Sequence, residues 1–219
     1  RQTRRNVAPA HHIRRGPAQP RANVVCPGDR NVGSAREIPK PFGRDRQGLG
    51  IAANRRGAHD GWVSTTRSVV FVAVPGIQLL DLAGPLAVLD AATRLLERRG
   101  EQGGYRSSIA TPGAARIRTS SGVELGADLA LADAAADPEP VDTVLVVGGS
   151  GTRAAMVDEP LLAHVRALAA RADRVASVCT GALVLAAAGL LDGYRATTHW
   201  ASCDLLAQRS EVDVAPDQI

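Results

Sequence analysis

The sequence predicts an α/β protein with a mostly parallel sheet covered by helices on both faces. Three observations carry this reading. A continuous apolar run of strand formers stands at residues 68–74, as expected of a strand buried on both sides, and further strands read at 141–147 and 174–178. Segments with apolar residues at helical spacing lie between them. Strands alternating with helices at this interval assemble into a parallel sheet, each helix carrying the chain back across it.

In chain order, residues 68–74 (SVVFVAV) read as the first strand. After Gly84 and Pro85, the positions Leu82, Leu86, Leu89, Ala92 and Leu96 make one helix face at spacings of 4, 3, 3 and 4, ended by Arg98-Arg99-Gly100. Residues 105–111 form a second strand. Residues 116–118 and 123–125 flank Ser120-Ser121-Gly122 and predict a small hairpin, in which glycine supplies a positive φ. Residues 141–147 form a third buried strand that runs into Gly148-Gly149-Ser150-Gly151. Asp158 is placed to cap a helix with Pro160 in its first turn and Leu161, Val165, Leu168 and Ala172 on one face. A fourth strand at 174–178 leads into a helix over 181–191 that is apolar all round, and residues 201–207 make a last short helix.

The chain has 219 residues, 45% hydrophobic and only 3% aromatic, so the core is built from Ala, Val and Leu. Charge divides it in two. Residues 1–66 carry thirteen basic and four acidic side chains, net +9, whereas residues 67–219 are net −5. The first segment also carries Pro9, Pro17, Pro20, Pro27, Pro39 and Pro41 without sustained periodicity. It is expected to be a disordered tail, with 67–219 as the folded domain. Its charge admits two readings, an ordinary solvated tail or a basic arm that touches phosphates non-specifically. No apolar run approaches the ~18 residues of a membrane span, and the sequence as given opens without a charged-then-apolar leader. Cysteines at 26, 179 and 203 make neither a disulfide framework nor a CxxC pair. A cytoplasmic location and no membrane partner are therefore expected. His11-His12 stand without ligand partners, so no metal site is expected.

The sharpest local signal is Val175-Ala-Ser-Val-Cys179-Thr180-Gly181. A buried strand stops at Cys179 and a helix starts at once, the mechanics of a strained turn that exposes a nucleophile above a parallel sheet. Ligands in such sheets bind at the carboxyl ends of the strands, and a helix N-terminus favours a thiolate. Cys203, inside a predicted helix, and Cys26, in the tail, read as ordinary cysteines. Asp81 stands between apolar neighbours just past the first strand, where it is either a functional carboxylate or the cap of a helix at Pro85. Gly148 and Gly149 follow another strand end, where their N–H groups would face the same crevice and bind an oxyanion. Residues 149–154 fit a GxGxxA pattern, but after the third strand and with no acidic residue ending a following strand, so no nucleotide cofactor is expected.

With these pieces in place, residues 68–219 resemble the DJ-1/PfpI superfamily of class I glutamine amidotransferase-like proteins. The resemblance extends to the amidase-like sensory domain of AraC-type transcription regulators and to isonitrile hydratase. It rests on Val74-Pro-Gly-Ile-Gln-Leu-Leu-Asp81-Leu-Ala-Gly84-Pro85, Arg118-Thr-Ser-Ser-Gly122, Val178-Cys-Thr-Gly181 and Leu185-Ala-Ala-Ala-Gly-Leu-Leu-Asp-Gly-Tyr-Arg-Ala-Thr-Thr-His199-Trp200. It implies a flavodoxin-like sheet with a cysteine nucleophile elbow. The peptidase-like branch places His directly after the cysteine; Thr180 stands there instead, which argues against proteolysis. Relatives continue past Ile219 with a strand, a glycine-containing segment and a closing helix, and the regulators add a helix-turn-helix module. The expectation is thus a C-terminally truncated domain that reaches DNA only through a module missing here. Uncovered sheet edge and helix surface also make a homodimer the expected state.

Two functions are implied. One is a sensory domain whose Cys179 crevice binds a small molecule. The other is an isonitrile hydratase-like enzyme in which Cys179 attacks the isonitrile carbon, Asp81 activates water, Thr180 assists, and an N-substituted formamide leaves. Glyoxalase-like or repair chemistry on reactive carbonyls is a third. His199 reads either as a polar contributor or as an ordinary surface or core histidine, and Gly84, with Gly148 and Gly149, stands among the ligand-binding or oxyanion positions.

Overall fold

The structure, a computed structural model, describes residues 66–209 and 211–216. The expected tail up to residue 65, with Cys26 and His11-His12, lies outside the described residues, as does the end of the chain at Ile219. Thr66, placed in that tail by the sequence, is instead the first residue of a strand.

In chain order the elements are β1 (Thr66–Val72), α1 (Leu79–Arg98), β2 (Gly104–Thr111), β3 (Ile117–Arg118), β4 (Glu124–Leu125), β5 (Leu129–Ala130), α2 (Leu131–Ala136), β6 (Val141–Val146), α3 (Thr152–Ala155), α4 (Glu159–Arg171), β7 (Ala172–Ser177), α5 (Gly181–Ala187) and β8 (Arg195–Ala196). A 3₁₀ turn (Trp200–Ser202), α6 (Cys203–Ala207) and β9 (Asp213–Val214) complete them. The main sheet has the order β5-β2-β1-β6-β7, and every pairing in it is parallel. β1 is the central strand, and its apolar second half, Val69 to Val72, is buried, with Phe71 and Val72 wholly so. The chain fills one side of β1 with β2 and β5, then crosses to the other side for β6 and β7. The order therefore reverses between β1 and β6, and in open parallel sheets the ligand crevice lies outside the strand ends at that point.

The predicted flavodoxin-like α/β architecture is the observed one, with local differences. α1 begins at Leu79 rather than after Pro85, and Pro85 lies inside it. Proline suits a first helical position, and that preference hid a helix already under way. α5 ends at Ala187 rather than 191, because Gly189 takes φ +73°. There the Gly189 N–H donates to the Ala186 carbonyl (3.0 Å) and the Leu190 N–H to the Leu185 carbonyl (2.9 Å), closing the helix. The helix predicted at 201–207 is divided between the 3₁₀ turn and α6. Asp158 caps α4 as predicted, its Oδ1 accepting the Leu161 N–H at 3.1 Å. The hairpin pairs β3 with β4. It is tied to the loop before α1 by Gly76 N–H to the Arg118 carbonyl (2.7 Å) and Ser120 N–H to the Ile77 carbonyl (2.8 Å). Among the described residues no helix is long and apolar enough to cross a membrane.

Candidate functional site

The site is built on three strand ends. After β7, the Val178 N–H still donates to the Val146 carbonyl of β6 (3.0 Å), so Cys179 is the first residue to leave the sheet. It does so at φ +53°, a left-handed conformation uncommon for any residue with a Cβ. Such strain persists only when its surroundings impose it. Gly181 is one cause: a Cβ there would lie 2.2 Å from the Val146 carbonyl oxygen, so only glycine lets α5 start directly above β6. The Thr198 hydroxyl is another, donating to the Cys179 carbonyl at 3.0 Å.

Opposite the thiol stands Asp81, in the first turn of α1. The alternative that it caps a helix at Pro85 is excluded, because α1 starts before it with Gln78 at the cap. The two side chains face each other across Gly148. A Cβ on Gly148 would lie 2.7 Å from Asp81 Oδ2, 2.8 Å from the Cys179 Cβ and 2.7 Å from the Val178 carbonyl oxygen. The Gly148 carbonyl accepts the Gln78 N–H (2.8 Å), and Gly149 bridges Ile77, which anchors the start of α1 to the end of β6.

Each member of the pair perturbs the other, although no hydrogen bond of ordinary length reaches Asp81 Oδ2, which is buried. Burial raises the Asp81 pKa, against the opposing pull of the Cys179 thiol and of His199. Burial and then the Asp81 charge push the Cys179 thiol from 9.0 up to about 11, overcoming the Thr180 backbone N–H and hydroxyl that favour the thiolate. The expectation that the helix N-terminus holds a thiolate is thus corrected: desolvation beside a carboxylate outweighs the few N–H groups there.

The remaining expected residues divide. The Thr180 hydroxyl accepts the Gly149 N–H at 2.8 Å and lies 3.0 Å from the Gly149 carbonyl, to which it donates. Gly149 is therefore corrected as an oxyanion donor, since its N–H is engaged. Gly148 supplies room for the pair. Gly84 is corrected too: it is the sixth residue of α1, beyond the first turn whose N–H groups lack helical acceptors. His199 is exposed, just past the buried Thr197 and Thr198 that follow β8, and close enough to act on Asp81. Its Nδ1 accepts the Ala201 N–H at 3.2 Å, and its ring leans on Trp200 at 5.2 Å between centroids. The glycine run after β6 packs on residues 75 and 76: a Cβ at Gly151 would overlap the Pro75 carbonyl oxygen at 1.7 Å. Sequence reasoning assigned nothing to Thr198, because a hydroxyl bonding a carbonyl 19 residues away has no local signature.

A left-handed cysteine at the carboxyl edge of a parallel sheet, faced by a buried carboxylate across a glycine, defines a cysteine–carboxylate α/β protein. Residues 67–215 match the DJ-1/PfpI family, and the chain belongs to that family. Three relatives are similar to part of this chain. An uncharacterized protein from the cpoL 5' region of Streptomyces lividans is 45% identical over 141 residues, 64% of this chain and 93% of that protein. The isonitrile hydratase of Pseudomonas putida is 38% identical over 145 residues, 66% of this chain and 57% of the hydratase. The HTH-type transcriptional regulator GbdR of Pseudomonas aeruginosa is 31% identical over 134 residues, 61% of this chain and 34% of the regulator. The match thus spans little more than half of the hydratase and a third of the regulator.

Proposed function

We propose that the domain is the small-molecule-sensing part of an AraC-type, helix-turn-helix regulator, with its ligand bound at the Cys179–Asp81 crevice. The observation that supports this best is the crevice itself: Cys179 and Asp81 meet across Gly148 at the carboxyl edge of the sheet, beside the point where the strand order reverses and parallel sheets of this kind bind ligands. In this reading a helix-turn-helix module contacts DNA, in the cytoplasm, and the described residues supply the ligand site. A second copy covers the outer face of α1, where Leu80 (73% exposed), Val88 (67%) and Leu95 (41%) leave apolar surface open to water.

The second reading, an isonitrile hydratase-like enzyme, is favoured by the relative at 38% identity and by the Asp81–Cys179 pairing. There the Cys179 sulfur would add to the isonitrile carbon, while the thiol proton, relayed by Asp81, goes to that carbon. Water activated by Asp81 would then add to the thioimidate and expel the thiol, giving an N-substituted formamide. The discriminating experiment incubates the whole chain with a simple alkyl isonitrile and measures formamide. The sensor reading expects none above background; turnover that Cys179→Ala abolishes overturns it.

A further inference from the structure

We propose that Thr198 is a positioning residue for Cys179: by holding the Cys179 carbonyl, its hydroxyl fixes the 179–180 peptide plane and aims the Thr180 N–H at the Cys179 sulfur. The inference rests on the reading of Cys179 as the contact at the heart of the site.

A trans peptide carries its C=O and N–H in one plane on opposite sides, so anchoring the oxygen orients the hydrogen. The oxygen accepts the Thr198 hydroxyl at 3.0 Å, and the N–H acts on the thiol, favouring its ionised form. Thr198 is only 6% exposed, so water is poorly placed to replace the hydroxyl. The loop that carries it is fixed on both sides. β8 pairs with β9 before it, and after it His199 Nδ1 accepts the Ala201 N–H at the start of the 3₁₀ turn. Cys179 itself sits at φ +53°, where a peptide released from one anchor has a lower-energy conformation to relax into. The groups that act on the thiol are then Asp81 from α1 and the Thr180 N–H and hydroxyl from its own turn, with His199 acting on Asp81 from the Thr198 loop. Of these, the Thr180 N–H is the one whose direction Thr198 controls.

The test is the pH–rate profile of iodoacetamide alkylation, followed by mass mapping of Cys179 and Cys203 in the whole chain. In Thr198→Val, which keeps the shape and removes the hydroxyl, Cys179 alkylation between pH 8 and 9 should fall about tenfold, the effect of losing one charge-assisted donor to a thiolate. Thr198→Ser keeps the hydroxyl and should stay within about twofold of the parent. Cys203, whose Sγ lies 3.8 Å from the His199 carbonyl next to Thr198, reports whether the loop itself has moved and should not change in either variant. A Thr198→Val chain that labels like the parent overturns the proposal, and so does an equal loss in the serine variant. If Thr198→Val does not melt cooperatively, Thr198→Ala takes its place with the same expected loss. Alkylation needs no ligand, so this outcome is independent of the isonitrile assay that tests the sensor reading.

Discussion

Replacing Gly148 by alanine tests whether this glycine is there to leave room between the acid and the thiol. The added Cβ would stand 2.7 Å from Asp81 Oδ2, 2.8 Å from the Cys179 Cβ and 2.7 Å from the Val178 carbonyl oxygen. All three distances are shorter than real Cβ contacts, and the last neighbour is backbone held in the β6–β7 region, so the strain cannot be absorbed by one rotamer. Overpacking of this kind costs about 1–3 kcal/mol. For a domain of this size that corresponds to a melting temperature lower by about 2–12 °C. Pushing Asp81 away also weakens the charge that raises the thiol, so Cys179 should titrate below its value of about 11 and alkylate faster at pH 9. Gly84→Ala is the internal comparison. Its Cβ would meet nothing within 4 Å, and alanine is favoured over glycine by about 1 kcal/mol inside a helix. Thermal melts of both variants, with alkylation of Cys179, decide the matter. A Gly148→Ala protein with the parent's melting temperature and labelling rate would refute the reasoning.

Asp81→Asn should raise the melting temperature at pH 7. The Asp81 pKa is raised in the folded state, so its contribution to stability is present below 3.8 and lost as pH rises through the folded value, which leaves the ionised form a burden at neutrality. The same change should speed Cys179 alkylation by removing a negative charge beside the sulfur; a lower melting temperature with slower labelling would contradict it. Cys179 follows the same sign at higher pH. With 9.0 raised to about 11, the stability it confers is intact below pH 9 and disappears by pH 11. Denaturant titrations across that window should show a loss that Cys179→Ala lacks, and equal slopes in the two proteins would count against the assignment.

The parts of this molecule that were legible in its sequence are those governed by neighbours in the chain. The apolar run of β1, the Asp158 cap and the break at Cys179-Thr180-Gly181 each carry a local signature that survived folding. What could not be read depends on meetings across long separations. Gly149 looked like a free donor until Thr180, 31 residues later, took its N–H. Gly148 and Gly84 look alike in the sequence, yet one is hemmed in by Asp81 and Cys179 and the other faces open space. The short parallel pairing of β8 with β9 has only two residues per strand, too few for alternation to register. The thiol's ionisation went the other way from expectation because burial, and then the charge of Asp81 from nearly one hundred residues earlier, outweigh the donors of its own turn.

Pro85 gives α1 an unusual division of labour. Having no N–H, it cannot bond the Asp81 carbonyl, so the turn that carries the acid lacks a rung to the rest of the helix. That turn is fastened from its other end, through Gln78 to Gly148 and Ile77 to Gly149. The carboxylate is thus surveyed from the loops at the sheet edge, and the distal two-thirds of α1 serves as a strut whose outward face is released from any duty to the crevice. Substitutions on that face, at Val88 or Leu95, are therefore expected to leave the placing of Asp81 unchanged.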